Sequence, residues 1–274
     1  MPRVRPIALG LLVALAASAG CATTATHQAL QPPIPCRCAE AVVFSADGAG
    51  NSAGLTEALR QGAAETGLPL DVEMVDWSYG RWRFLADQMD YGHARAAGVA
   101  LAARVAAYRQ TCPSSRIYLI GHSAGSAVVL TAAEHLPPGS VDRIVLLAPA
   151  VSSRYDLRPA LRCARDGIDV FSSERDLAIL GLGVAIVGTT DRHWTAAAGR
   201  VGFQPVIESP ADACLYRKLR DHPWNSCVAW TGNEGGHFGT YLEPAYLRSY
   251  ILPLFAAAAP ATAAPVAAAG SPPP

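Results

Sequence analysis

Gly121-His122-Ser123-Ala124-Gly125 sets a serine between two glycines in the pattern G-x-S-x-G. Residues 116–120 (RIYLI) before it are mostly β-branched and aromatic, and residues 126–130 (SAVVL) after it are small and aliphatic at helical spacing. A strand run thus changes into a helix run at Ser123. On so sharp a turn the serine backbone is strained. Side chains two residues before and two after would collide with neighbouring chain, which calls for glycine at both places. The start of the helix then directs free N–H groups and the positive end of its dipole at the serine oxygen. A neutral hydroxyl is a poor nucleophile, so the serine also needs a base within hydrogen-bond reach and an acid to orient that base. The chemistry implied is attack on an acyl carbon. The plainer alternative is a glycine-rich turn with a capping serine.

Such a constellation has to be held by regular elements. Strand signals fall at 41–45 (AVVFS), 70–77 (LDVEMVDW), 116–120, 143–147 (RIVLL), 168–172 (IDVFS) and 228–231 (VAWT). Helical patterns fall between them at 55–66, 87–110, 124–136 and 244–255. Near-continuous apolar strands alternating with helices predict an α/β fold with a parallel sheet covered on both faces. In such sheets functional residues gather at the carboxyl ends of the strands.

The elbow in this setting resembles that of the α/β-hydrolase superfamily. The resemblance spans roughly residues 40–256 and implies an α/β-hydrolase fold with a reduced, mostly parallel sheet of about six strands and helices on both faces. It implies a catalytic acid after the 168–172 strand, where Ser173-Glu174-Arg175-Asp176 is similar to a family turn ending in that acid. Asp176 is the candidate and Glu174 the fallback. The base is expected in the Gly-rich loop before the last helix, Gly232-Asn233-Glu234-Gly235-Gly236-His237, which leaves His237 room to turn. His193 and His222 compete with it but follow no strand signal. The oxyanion donors are expected to be the N–H of Ala124 and that of Ala49 or Gly48, in the loop after the first strand. Family members often carry His-Gly there; this chain has Asp47-Gly48, with Asp47 expected to turn away and hold the loop. The implied activity is a serine hydrolase of the carboxylesterase or lipase type, cleaving carboxylic esters through an acyl-enzyme without metal or organic cofactor. The same parts would serve an amidase or acyltransferase, and the fold alone would serve a non-catalytic binding protein.

Residues 1–20 look like an export signal: Arg3 and Arg5 precede an apolar run of 11 residues, Ile7 to Ala17, too short to span a bilayer. Small residues then lead to Cys21, resembling a bacterial lipoprotein signal with Cys21 as the lipidated residue. Cleavage after Ala19 would instead leave Cys21 a free thiol. Residues 21–39 read as a tether and 257–274 as a disordered Ala/Pro tail. Export makes disulfides the expected state of Cys36, Cys38, Cys112, Cys163, Cys214 and Cys227. The family's strand order places Cys36 and Cys38 near Cys112 and Cys163, in either pairing, while Cys214 and Cys227 are local to each other. Cys36-Arg-Cys38 lacks the second ligand pair of a metal site.

The aromatic stretch containing Trp77, Tyr79 and Trp82 could wall an acyl pocket or simply pack on the sheet. The apolar run 177–188 (LAILGLGVAIVG) reads first as a buried helix, with cleft lining or membrane contact as alternatives. At 274 residues and 51% hydrophobic, the chain can bury a sizeable core, and its 22 basic and 22 acidic residues give no field favouring nucleic acid. The expected partners are a small-molecule ester, lipidic esters included, and a membrane reached through the lipid anchor.

Overall fold

Strand residues alternate between two apolar layers, as a pleated strand requires. Val42, Phe44, Ile117, Leu119, Ile144, Leu146 and Val170 face one way, and Val43, Tyr118, Ile120, Val145, Leu147 and Phe171 face the other. The computed structural model describes residues 38–256. The signal 1–20, Cys21, Cys36, most of the tether and the 257–274 tail lie outside the described residues.

The strands are β1 (Ala41–Ala46), β2 (Leu70–Met74), β3 (Arg116–His122), β4 (Arg143–Leu147), β5 (Ile168–Ser172) and β6 (Leu219–Pro223). They form one sheet in the order β2-β1-β3-β4-β5-β6, parallel at every pairing. Six parallel strands agree with the sequence reading, but the sixth is not 228–231. Those residues lie in a 3₁₀ turn, Ser226–Thr231, with Trp230 exposed. The true strand, LRDHP, sits at the sheet edge and buries little, so it carries no apolar signal.

Helix α1 (Gly54–Thr66) and the closing helical segment cover one face through Leu55, Leu59, Leu247, Ile251, Leu252 and Phe255. That segment begins as a short helix (Pro244–Tyr246) and continues through a π turn, Leu247–Ile251, to a 3₁₀ turn, Leu252–Phe255. On the other face pack α3 (Tyr91–Thr111), α4 (Gly125–Glu134) and α5 (Arg158–Cys163). The helical run expected over 87–110 is two helices. Short α2 (Phe84–Met89) stops at Asp90, whose side chain accepts the His93 N–H at 2.9 Å and so starts α3.

Cys38 is bonded to Cys112 with Cα atoms 5.4 Å apart, which joins the entry to β1 to the end of α3. Cys163 is a free, buried thiol whose pKa burial pushes up to about 11. Its remaining expected partner, Cys36, is outside the described residues. Cys214 and Cys227 are exposed and free, which corrects the expected local pair. Cys214 lies in the helix Pro210–Tyr216 before β6 and Cys227 lies after it, so the strand carries the chain from the amino to the carboxyl edge between them. Five extended residues span roughly 16 Å, beyond the reach of a disulfide.

Candidate active site

β3 ends in His122, and the next residue, Ser123, has φ +51°, a left-handed conformation that costs a non-glycine residue about 1–3 kcal/mol. Backbone bonds on both sides hold it there. Ser123 N–H donates to the Leu147 carbonyl at 3.0 Å, and the Ser123 carbonyl accepts from Ser126 and Ala150, each at 3.1 Å. The flanking glycines are required as the sequence implied. A Cβ on Gly121 would lie 2.8 Å from Ser126 Cα, and one on Gly125 would collide with the carbonyl oxygens of Ala46 and Asp47.

Asp176 follows β5 and is buried, whereas Glu174 is exposed, which separates the two acid candidates. Asp176 Oδ2 accepts from His237 Nδ1 in a short hydrogen bond. Its other oxygen accepts the Leu180 N–H at 3.2 Å. His237 is buried as well, in a loop pinned rather than free. Trp224 Nε1 donates to the Asn233 carbonyl at 2.8 Å, and Asn233 Oδ1 accepts the Gly235 N–H at 2.9 Å. Nδ1 being engaged by Asp176, Nε2 is the nitrogen left to exchange a proton.

Ser123, His122 and His237 line one cavity of about 450 Å³, together with Gly48 and Ala49. The Gly48, Ala49 and Ala124 N–H groups donate to no acceptor among the described residues and so are open to an oxygen in the cavity. Asp47 is buried and turned away from them. Its carboxylate accepts Leu55 N–H at 2.8 Å, Thr56 N–H at 3.3 Å and Thr56 Oγ1 at 2.5 Å. It therefore caps the start of α1, where the residue at the cap position, Ala53, has no side chain able to do so. Burial raises the Asp47 pKa above its ordinary value, against the lowering effect of these bonds.

His122 does more than fill the second place of the elbow. Its Nε2 bonds the His237 carbonyl at 3.1 Å, and its ring lies 4.7 Å from that of His237. Full burial holds its pKa well below the usual value, and the proximity of His237 adds to this. A neutral imidazole with hydrogen on Nε2 makes that bond, and it ties the base loop to the elbow. The competing histidines are elsewhere. His222 bonds Asp169 at 2.8 Å, and exposed His193 stands 3.9 Å from Asp191.

Of the two readings of the aromatic stretch, packing on the sheet holds for Trp77 and the pocket wall holds for none of the three residues. Trp77 is buried and donates through Nε1 to the Asp47 carbonyl at 2.8 Å. Tyr79 stacks on His93 at 4.0 Å, and Trp82 is 87% exposed. None of the three lines the cavity, which takes Arg81, Phe84, Leu85 and Gln88 from the same stretch instead. The run after Asp176 is a π-helical segment, Leu177–Gly183, leading into α6 (Val184–Val187). Rather than a buried helix it is a cavity wall: Ile179, Leu180, Val184 and Val187 line the space, while Leu177 and Ile186 face solvent. Asp87 was also missed. Fully buried on α2, it accepts Gly50 N–H at 2.6 Å and Tyr79 N–H at 2.8 Å, which fixes the loop that carries Gly48 and Ala49. Its neighbours Gln88 and Asp90 are polar too, so nothing in the spacing set Asp87 apart. Among the described residues no cluster of His, Cys, Asp and Glu could hold a metal ion.

An all-parallel sheet in this strand order, with a left-handed serine between β3 and α4, defines an α/β-hydrolase fold. Residues 98–180 match the family described as serine aminopeptidase, S33. No curated protein sequence matches the chain. Among solved structures it is similar to a poly(3-hydroxybutyrate) depolymerase, LpqC, from Bordetella parapertussis, with 18% identity, 76% of this chain and 78% of that one covered, and TM-score 0.48. It is similar to the catalytic core domain of acetyl xylan esterase from Trichoderma reesei at 12% identity, covering 68% and 84%, TM-score 0.39. A Trichoderma reesei cutinase bound to a phosphonate inhibitor matches at 22% identity and TM-score 0.32 over 41% of this chain and 53% of its own, about half its length.

Proposed function

We propose that this protein is a serine hydrolase that cleaves carboxylic esters through an acyl-enzyme. The observation that supports this most is the left-handed Ser123 sharing one cavity with His237, which is itself held by buried Asp176. In this reading Ser123 Oγ attacks the carbonyl carbon while His237 Nε2 takes its proton. The oxyanion forms against the N–H groups of Ala124 and of Ala49 or Gly48. Asp176 keeps the hydrogen of His237 on Nδ1 and stabilises the imidazolium. His237 then gives the proton to the departing alcohol, and water repeats the sequence to free the acid and regenerate Ser123.

Among the described residues no carboxylate lines the cavity. An aminopeptidase needs one to hold the ammonium group of its substrate, so an ester with an apolar acyl group is favoured. A fluorophosphonate probe tests the reading. The wild type is expected to gain the probe mass on Ser123, and Ser123→Ala to gain none. Phenyl butyrate hydrolysis should vanish with the labelling. An unlabelled wild type that turns over neither esters nor anilides would leave a binding protein.

We further infer export, with Cys21 as a lipid anchor to the cell envelope. The Cys38–Cys112 bond supports this, since disulfides persist in oxidising compartments. No helix among the described residues is long and apolar enough to cross a membrane. Metabolic labelling with radioactive palmitate, lost in Cys21→Ala, is the expected result.

A further inference from the structure

Among the described residues Arg81 is the one Lys, Arg, Asp or Glu on the cavity wall. Its backbone abuts the oxyanion loop: a Cβ built on Gly50 would lie 3.2 Å from the Arg81 carbonyl oxygen. The guanidinium therefore stands on an element braced against the donors Gly48 and Ala49. Around it the wall is apolar, with Phe84 and Leu85 on α2 and Leu180, Val184 and Val187 from the segment after Asp176.

Among the described residues Arg81 makes no ion pair and its side chain makes no hydrogen bond, while Arg60, Arg104, Arg143, Arg158 and Arg220 each pair with a carboxylate. Arg83, two residues on, lies 4.9 Å over the Tyr79 ring. Arg81, exposed on the cavity wall, is thus left with its full set of donors beside apolar side chains. A guanidinium with all its donors open matches a carboxylate or phosphate oxygen pair. Leu180 and Val184, both buried, offer an apolar group a partner on the same wall.

We propose that Arg81 binds an anionic group on the alcohol side of the ester, so that the substrate class is an apolar acyl chain esterified to a carboxylate- or phosphate-bearing alcohol. This rests on the serine-hydrolase reading and adds to it the chemistry of the leaving group. The apolar side chains of the wall take the acyl chain, and the exposed arginine takes the charge.

Phenyl butyrate and 4-carboxyphenyl butyrate differ by one carboxylate on the leaving group. The wild type is expected to favour the charged ester in kcat/KM by about tenfold, the scale of one charge-assisted hydrogen bond. Arg81→Gln should bring the ratio near one, and Arg81→Lys, which keeps the charge but not the planar fork, should lie between. Added salt should lower the wild-type ratio. A second pair, a 1-acylglycerol and its 3-phosphate, reads phosphate in place of carboxylate; preference for either anion supports the assignment. Ser123 labelling with a wild-type ratio near one for both pairs, or a ratio unchanged in Arg81→Gln, overturns the Arg81 assignment alone. Absence of both labelling and turnover overturns the hydrolase reading and this assignment with it.

Discussion

Asp176 uses its two carboxylate oxygens on two different parts of the site. Oδ2 orients His237, and Oδ1 accepts the Leu180 N–H that begins the π-helical wall of the cavity. An asparagine can keep only one of these acceptors, and its NH₂ would face a ring nitrogen that should carry hydrogen. Asp176→Asn is therefore expected to fold and to lower kcat by about 10⁴, the cost of the wrong imidazole tautomer in a triad. Stopped-time assays with phenyl butyrate measure it, and a loss under about tenfold would remove Asp176 from the mechanism. Ser123, Asp176 and His237 were legible in the sequence because each has a local signature: an elbow, a post-strand acidic turn, a glycine-rich loop. The second task of Asp176, the His122 bridge and the Arg81 cation were not. They depend on which side chains a folded loop turns inward, and no spacing rule encodes that.

At the scale of elements, the buried strands declared themselves and the edge strand did not. β3 and β4 read as strands because both their faces meet helices, so nearly every residue is apolar. β6 is held differently. Asp169 on β5 accepts from Arg220 Nε at 3.0 Å, from Arg220 Nη2 at 2.9 Å and from His222 at 2.8 Å, while Arg143 on β4 reaches it at 2.9 Å. Burial pushes the Asp169 pKa up, but the hydrogen bonds from His222 and Arg220 and the two arginine charges prevail and hold it below its ordinary 3.8. Polar residues thus do for this edge what apolar ones do for the centre, and a hydrophobicity pattern passes over them in favour of the nearby VAWT. Asp169→Asn should cost on the order of 2 kcal/mol at neutral pH. Because the folded-state pKa is depressed, the stabilisation is full above about pH 4 and drains as pH falls through the lower folded-state value. Urea midpoints of wild type and variant should therefore converge in acid. A gap that persists undiminished to pH 2 would show that charge is not what fixes β6.

Across the whole described chain, backbone strain and covalent restraint sit at opposite edges of the sheet. Of the five non-glycine residues with positive φ among the described residues, four lie at the carboxyl edge that carries the cavity: Asn51 and Ala53 follow β1, Ser123 follows β3 and Ala148 follows β4, while Arg192 lies in the segment between β5 and β6. The disulfide is at the amino edge, where Cys38 precedes β1 and Cys112 closes α3. Strain concentrated at a site has to be held by the rest of the structure, and a cross-link between residues 74 apart in sequence limits the unfolded chain without touching the site. Replacing both cysteines, Cys38→Ser with Cys112→Ser, is expected to lower unfolding free energy by about 2–4 kcal/mol at 25 °C. At temperatures where the variant remains folded, its kcat/KM for phenyl butyrate should equal that of the wild type. Dithiothreitol should reproduce the loss of stability in the wild type and add nothing in the variant. If the variant loses activity while still fully folded by circular dichroism, the amino edge is coupled to the elbow through β1 and β3, and the separation of restraint from chemistry fails.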